Sequence, residues 1–177
     1  ATHAERTRAG EWITVLSGDI GTENFHDDNA YHVVTASGVA RTAVLANFKI
    51  EHGRATGSTV WQKRGAGILA DAGSPNLRYL FFAGNVASGS NSGGGGLCVY
   101  NGGSPMVYSC AFFGNSAEWG GAVKLSAGSS AAFLNVLMAH NVAINGGALV
   151  IWDSNASISH STIADNNATE GGGLRIG

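Results

Sequence analysis

The chain has 177 residues, of which 44% are hydrophobic, 12% are charged and 27 are glycine, and its formal net charge is -2. Its ten basic residues are scattered, so the sequence has no basic stripe of the kind that nucleic-acid binding requires. No run of apolar residues reaches the length needed to span a bilayer. The composition therefore favours a sizeable apolar core under a weakly charged surface, and it argues against a nucleic-acid partner and a membrane span.

Residues 1–30 show no repeat, and we interpret them as an irregular start followed by the first coil of a repeat domain. They do not begin with Met and lack the apolar segment of a signal peptide. Gly177 directly follows the last predicted strand, so we expect the chain to be a piece of a longer protein. Because solenoids normally cap their ends, uncapped coils predict end-to-end contact or a partner that covers them.

One loop in this start is rich in oxygen ligands. It contains Asp19, Glu23, Asn24, His26, Asp27, Asp28 and Asn29. Calcium prefers carboxylate and amide oxygens, so the loop predicts a Ca²⁺ site at Asp19, Asp27 and Asp28. A solvated turn without metal is the alternative, because turns have the same composition. A transition metal at His26 and His32 is less favoured, since the sequence offers no third histidine nearby.

A repeat runs through the rest of the chain. Its anchor is an asparagine, found at Asn85, Asn115, Asn141 and Asn166, with spacings of 30, 26 and 25 residues. A glycine motif follows each anchor, after a Ser/Gly-rich insertion in the first of these copies. A fainter copy upstream has Gly53 at the anchor position and Gly65 at the glycine motif. A fixed period of this size indicates a stacked repeat architecture.

Apolar residues alternate with variable ones on both sides of the anchor. One apolar column lies three residues before it, at Ile50, Phe82, Phe112, Met138 and Ile163. Another follows the glycines, at Ile68, Leu97, Val123, Leu149 and Leu174, and the residues after these form an outward column, Leu69, Cys98, Lys124, Val150 and Arg175. A period of two predicts strands with one buried face. The sequence therefore predicts an all-β fold, a right-handed parallel β-helix (solenoid) of about six coils of roughly 25–30 residues and about three strands each, as one domain over residues 1–177 with repeats in 31–177.

The anchor asparagines are predicted to form an architectural ladder. A sharp bend between two strands needs a residue in the left-handed conformation, which asparagine and glycine tolerate best. Stacked asparagines can also exchange amide hydrogen bonds from coil to coil. We therefore assign the anchors to the architecture of the helix and not to a site.

The repeat motifs resemble those of polymorphic outer-membrane protein repeats. Phe82-Ala-Gly-Asn85 and Phe112-Phe-Gly-Asn115 match their Phe-x-x-Asn motif, and Gly120-Gly-Ala-Val123 and Gly146-Gly-Ala-Leu149 match their Gly-Gly-Ala-Ile motif. The chain is also similar to secreted bacterial right-handed parallel β-helix repeat proteins. This resemblance implies the fold and an extracellular or bacterial cell-surface location. Members are typically adhesins or autotransporter passengers, and the same helix also carries polysaccharide lyases and hydrolases.

The two cysteines are predicted to be free thiols. Cys110 falls in an inward column and Cys98 in the outward one, so their side chains should point apart. A parallel stack does not require a disulfide, and no base is evident beside Cys98 to make it a nucleophile.

Aromatic side chains suggest a binding surface for glycans. Tyr100 and Trp152 occupy equivalent outward positions two coils apart, and Trp61 and Trp119 lie in corner loops. Exposed aromatic faces can stack on sugar rings, although bulky outward residues can also simply shield the sheet. Lys124 shares its column with Arg175, and such basic residues would be needed along the outward sheet to bind a uronate.

Catalysis is the alternative. His140 and Asp165 occupy the same column, just before the anchor, and would form an exposed His/Asp pair. No outward column gathers two or three acids, as glycoside hydrolysis would require. The sequence therefore favours a surface-displayed scaffold for adhesion or glycan binding without catalysis, with a polysaccharide lyase or glycoside hydrolase as the second hypothesis.

Overall fold

A computed structural model describes residues 14–23 and 25–177, and nearly all of its regular structure is short strands. The strands are β1 (Val15–Ser17), β2 (Val34–Thr35), β3 (Val44–Ala46), β4 (Lys49–Glu51), β5 (Arg54–Ala55), β6 (Ile68–Asp71), β7 (Asn76–Arg78), β8 (Phe81–Ala83), β9 (Val86–Ala87), β10 (Leu97–Tyr100), β11 (Met106–Tyr108), β12 (Ala111–Phe113), β13 (Ser116–Trp119), β14 (Val123–Leu125), β15 (Ser130–Leu134), β16 (Leu137–Ala139), β17 (Val142–Asn145), β18 (Leu149–Ile151), β19 (Asn155–Ser159), β20 (Thr162–Ala164), β21 (Asn167–Glu170) and β22 (Leu174–Ile176). Two single-turn 3-10 helices, His26–Asp28 and Trp61–Lys63, lie in the connections.

The strands form four parallel sheets, which the chain visits in the order A, D, B, C. Sheet A contains β1, β4, β8, β12, β16 and β20; sheet B contains β2, β6, β10, β14, β18 and β22; sheet C contains β3, β7, β11, β15 and β19; and sheet D contains β5, β9, β13, β17 and β21. Each coil thus adds one strand to each sheet. The predicted all-β parallel solenoid is confirmed.

The number of coils and strands differs from the sequence prediction. Four complete coils run from β4 to β19 in the described part of the chain, flanked by the incomplete coils β1–β3 and β20–β22. A complete coil holds four strands instead of three, because the residues after each anchor pair with their neighbours as sheet D. The sequence predicts a corner loop there, because strands this short contain too little alternation of apolar residues to be recognised.

Register is conserved from coil to coil, and this aligns the apolar columns of the core. In sheet A, Ile50 pairs with Phe82, which is followed by Phe112, Met138 and Ile163. The rings of Phe82 and Phe112 stack with their centroids 4.3 Å apart and their planes 3° from parallel. Both side chains are fully buried. The aligned apolar side chains therefore form one continuous core that runs along the coils.

The asparagine ladder forms as predicted. Asn85 Nδ2 donates to Asn115 Oδ1 over 3.0 Å, Asn115 Nδ2 donates to Asn141 Oδ1 over 3.0 Å, and Asn141 Nδ2 donates to Asn166 Oδ1 over 2.9 Å. The same oxygens accept the backbone N–H groups of the preceding anchors. Asn85, Asn115 and Asn141 are fully buried, so each amide satisfies polar groups that water cannot reach.

The sequence predicts that the anchor itself adopts the left-handed conformation at this corner. In the structure the residue before the anchor adopts it instead. The residues at this position have φ between 54° and 63°: His52, Gly84, Gly114, His140 and Asp165. The anchor side chain instead points into the corner, where it bonds the carbonyl of the previous coil, for example Phe82 O over 3.0 Å from Asn115 Nδ2. The position that bends the chain and the position that bonds it are therefore separate.

A second bend, between sheets D and B, explains the glycine motif. Its first glycine has a left-handed φ of 62° to 66° in each coil, at Gly65, Gly94, Gly120, Gly146 and Gly171. The second glycine packs against the next coil: a Cβ on Gly121 would lie 2.3 Å from the carbonyl oxygen of Gly147. The first glycine thus supplies conformational freedom and the second supplies close approach.

No helix in the described part of the chain is both long and apolar enough to cross a membrane.

We predict that Asn115→Ala lowers the free energy of unfolding by about 3 kcal/mol or more, because it leaves buried donors of Asn85 and a carbonyl of Phe82 without partners. Urea denaturation followed by circular dichroism measures the change. Asn167→Ala, at an exposed strand position, is the matched control and should change stability by less than about 0.5 kcal/mol. Equal effects from the two substitutions would contradict the role of the ladder.

Candidate ligand-binding cleft

The outward column of sheet B is covered, contrary to its predicted exposure. Leu69, Cys98, Lys124 and Val150 are at most 7% exposed. The residues just before the corner glycines explain this, because they form a column of their own beside sheet B: Arg64, Gly93 and Trp119 pair in sequence, followed by Asn145 and Glu170. Side chains of this column, which we call the corner column, fold over the sheet. Alternation with a period of two distinguishes only the two faces of one strand, so it does not predict that other side chains cover the outer face.

A cleft of about 420 Å³ lies between the corner column and the far ends of the sheet B strands. Tyr100, Trp119, Lys124, Ser126 and Trp152 line it, and Arg64 and Asp153 contribute as well. Tyr100, the last residue of β10, shares a column with Ser126 and Trp152, which directly follow β14 and β18. The small Ser126 between two large aromatic residues leaves the space that forms the cleft.

All five residues that we predicted to bind a ligand lie together here. Tyr100, Trp119, Lys124 and Trp152 line the cleft directly. Trp61 joins them through an edge-to-face contact with Tyr100, with ring centroids 5.3 Å apart. Trp119 and Trp152 form a similar contact at 5.5 Å. Trp61 and Trp152 are 40% and 44% exposed, so aromatic surface remains open to a ligand.

Three cations border these aromatic rings. Arg64 Cζ lies 4.5 Å from the centroid of Tyr100, while Lys124 Nζ and Arg175 Cζ lie 5.6 Å and 5.0 Å from that of Trp119. Cation–π contact of this kind is favourable in a desolvated setting. Arg175 is also paired with Glu170 at 2.5 Å and donates a hydrogen bond to Asn145. Burial lowers the pKa of Lys124, an effect that Cys98 and Glu118 oppose.

Two acidic side chains near the cleft form hydrogen bonds with groups outside it. Glu118 Oε2 accepts the backbone N–H of Asn91 over 2.5 Å. Asp71 Oδ1 accepts from Asn101 Nδ2 over 2.7 Å. Asp153 is the one carboxylate among the lining residues of the described cleft, and it is exposed.

Both cysteines are free, as predicted, and both are buried, whereas Cys98 was expected to face outward. Burial raises the pKa of Cys98 to about 11 and that of Cys110 to about 12. Cys98 pairs with Lys124 across sheet B, and the nearby ammonium only partly offsets the effect of burial. Neither thiol is therefore suited to act as a nucleophile near neutral pH.

The residues of the catalytic alternative lie at another corner. His140 and Asp165 are both exposed and occupy the left-handed position between sheets A and D. The His140 ring packs edge-to-face on Phe113, with centroids 4.8 Å apart. Within residues 14–23 and 25–177, no side-chain hydrogen bond or ion pair joins the two. Their shared column thus places them in successive coils but does not orient one toward the other.

The acidic loop is partly described. Asp28 Oδ2 accepts the backbone N–H of Thr22 over 2.9 Å, and the N–H of Asp19 donates to Ser17 Oγ over 3.1 Å, while Asp27 is exposed. Asn24 lies outside the described residues. His32 Nδ1 donates to the carbonyl of Gly65 over 3.1 Å. In the part of the chain that the structure describes, no three His, Cys, Asp or Glu side chains are grouped as metal ligands. Calcium at this loop stays a prediction.

Sequence reasoning missed Arg64, Ser126 and Asp153 as members of the cleft. Arg64 immediately precedes Gly65, just as Trp119 precedes Gly120, so the repeat alignment contained the signal. The only sequence signal for Ser126 is that it is the small residue between Tyr100 and Trp152 in their column. No pattern in the sequence singles out Asp153.

The architecture defines a parallel β-solenoid with an aromatic, cationic cleft on one flank. No protein-family model, curated protein or solved structure matches this chain. The likeness to polymorphic outer-membrane protein repeats therefore rests on the Phe-x-x-Asn and Gly-Gly-Ala-Ile motifs alone.

We predict that both thiols react slowly with iodoacetamide in the native protein at about pH 8, because burial and the raised pKa leave about one Cys98 in a thousand as thiolate. Mass spectrometry should find two labels per chain after denaturation and almost none before it. Labelling of native Cys98 at the rate of a small free thiol would show that sheet B is uncovered there. Cys98→Ser leaves Cys110 as an internal reference for the buried state.

Proposed function

We propose that this domain binds carbohydrate at the cleft without chemically changing it. The observation that supports this most directly is that Tyr100, Trp119 and Trp152 line one open cleft, with Trp61 packed on Tyr100 beside them. Aromatic rings offer an apolar face for the C–H groups of a sugar ring, and their polar edges can bond its hydroxyls. A rigid scaffold holds these rings at fixed spacing, which limits the entropy lost on binding.

The spacing of coils suits an extended saccharide. Tyr100 and Trp152 are separated by two coils, or about 10 Å along the solenoid axis. That separation is about the length of a disaccharide, so a chain running parallel to the axis could contact both rings. Ser126, between them, leaves room for the intervening part of the ligand.

The cleft favours binding over hydrolysis. Glycoside hydrolysis uses a pair of carboxyl groups on either side of the scissile bond. Asp153 is the one carboxylate among the described lining residues, and His140 and Asp165 lie at a different corner. The lyase or hydrolase hypothesis is therefore not favoured by any contact in the cleft.

The cellular setting is proposed from the sequence. The motif resemblance supports a bacterial cell-surface or extracellular domain that takes part in adhesion. A surface glycan or polysaccharide would be its partner in this role. Contact through the end coils also stays a prediction from the sequence.

Screening of the chain against immobilised glycans, followed by titration of the hits through tryptophan fluorescence, tests this proposal. We expect Trp152→Ala to weaken binding by about tenfold or more, since it removes one aromatic platform. Phe113→Ala is the matched control, because Phe113 is similarly exposed at 45% but lies on sheet A, and it should leave binding unchanged.

A reducing-end and unsaturated-product assay on the same hits separates binding from catalysis. The glycan should remain intact over prolonged incubation. Time-dependent cleavage that is lost in His140→Ala or Asp165→Ala would overturn the non-catalytic proposal. Failure of every glycan to bind, or equal loss in the Trp152 and Phe113 variants, would overturn the assignment of the cleft.

A further inference from the structure

Lys124 is a buried cation that lacks an anionic partner. The residue is only 7% exposed and lines the cleft, yet its ammonium forms no ion pair with a carboxylate of the described residues. Its Nζ lies 5.6 Å from the centroid of the Trp119 ring, a cation–π contact that does not neutralise its charge. A charged group in this setting destabilises the fold unless something compensates it.

The position of Lys124 depends on a gap in the corner column. Gly93 stands between Arg64 and Trp119, and a Cβ added there would lie 2.2 Å from Lys124 Cδ and 3.2 Å from Nζ. The lysine side chain therefore runs across Gly93 to reach the cleft. A side chain at residue 93 would close this path.

Two other polar groups of the cleft are also unpartnered. Arg64 Nε and Nη1 are buried and have no acceptor among the described residues. Ser126 Oγ is likewise buried without a partner, in a residue that is 6% exposed. Buried donors are almost always satisfied in folded proteins. Lys124, Arg64 and Ser126 thus line the same cleft with N–H and O–H donors that no described acceptor satisfies.

The neighbouring charges do not neutralise these donors. Arg175 is paired with Glu170, and Glu118 is bonded to the backbone of Asn91. Glu118 lies close enough to oppose the lowering of the Lys124 pKa but forms no ion pair with it. Asp153 is the remaining carboxylate of the cleft and is solvent-exposed.

We infer that the ligand of the cleft is an acidic saccharide, whose carboxylate or sulfate group is bound by Lys124, Arg64 and Ser126 while its ring stacks on Trp119 or Trp152. This inference rests on the proposed function and specifies the class of sugar. Charge-assisted hydrogen bonds from an ammonium and a guanidinium are strong and select for an anion. The anion would also relieve the desolvation penalty that Lys124 imposes on the ligand-free protein.

The test compares three disaccharides: one that contains a uronate, its neutral methyl ester, and the corresponding disaccharide of neutral sugars to which one anionic O-sulfate is added. Tryptophan fluorescence gives each Kd. We expect at least one of the two acidic ligands to bind about tenfold or more tightly than the ester. The better acidic ligand identifies the carboxylate or the sulfate as the preferred anion.

Lys124→Met should remove this preference while it keeps binding of the ester, because the aromatic platforms remain. The same variant should be as stable as the parent or more stable in the absence of ligand, since it replaces a largely buried, unpaired charge with an apolar chain.

Gly93→Ala should weaken the binding of acidic ligands, because the added Cβ displaces Lys124 without changing any charge. Asp153→Asn should strengthen them by removing a like charge from the cleft.

The outcomes separate the two proposals. Equal affinity for acids and ester, unchanged in Lys124→Met, would overturn the acidic specificity and leave carbohydrate binding intact. Absence of binding by all three disaccharides and by the glycan screen would overturn both. Loss of stability in Lys124→Met, together with loss of ester binding, would assign Lys124 a structural role and overturn the inference.

Discussion

Each coil is held to the next by an asparagine amide buried at the corner between sheets A and D. The amide accepts from one coil and donates to another, so that removing any member leaves polar groups unpaired on both sides. These bonds add to the ladders of the parallel sheets at the point where the sheets themselves are interrupted. Because these hydrogen bonds form only when the anchors of successive coils are aligned, they oppose any shift in register between coils. The alignment of every other column depends on this register.

Because the coils stack in register, the position of a residue within its repeat determines where that residue lies on the surface. Residues at the same point of successive coils lie in one column, so the corner column carries Arg64, Gly93 and Trp119 side by side. The architecture constrains the glycine that follows each of them, because that glycine makes the left-handed bend. The residue before it is free to vary. Chemistry can therefore change along the corner column without a change in the fold, and the cleft occurs where aromatic and basic residues fill it.

The cleft combines open aromatic faces with donors that the protein itself does not satisfy. Lys124 illustrates this combination, since its chain is packed among the side chains over sheet B while its ammonium lacks a carboxylate. A structural lysine would be expected at an ion pair, like that of Lys49 with Glu51 at 2.5 Å on sheet A. Stability and recognition thus place opposite demands on this residue: the ligand-free fold would be better served by an apolar chain, and an acidic ligand by the cation.

The sequence alone determined the parallel solenoid, the columns of the core and the asparagine ladder, because period-two alternation repeated at a fixed spacing leaves few other folds. It also pointed to Tyr100, Trp119, Lys124 and Trp152, which line the cleft, and to Trp61, which packs beside them. Tertiary structure decided three further matters: the fourth sheet, the left-handed residue that precedes the anchor, and the burial of the outward column of sheet B. Each depends on how one coil packs on the next or on itself, whereas alternation reports only the two faces of a single strand. For the same reason Arg64 and Ser126 became cleft residues only when the coils were stacked, since the distance between columns is set by the turns and not by the strands.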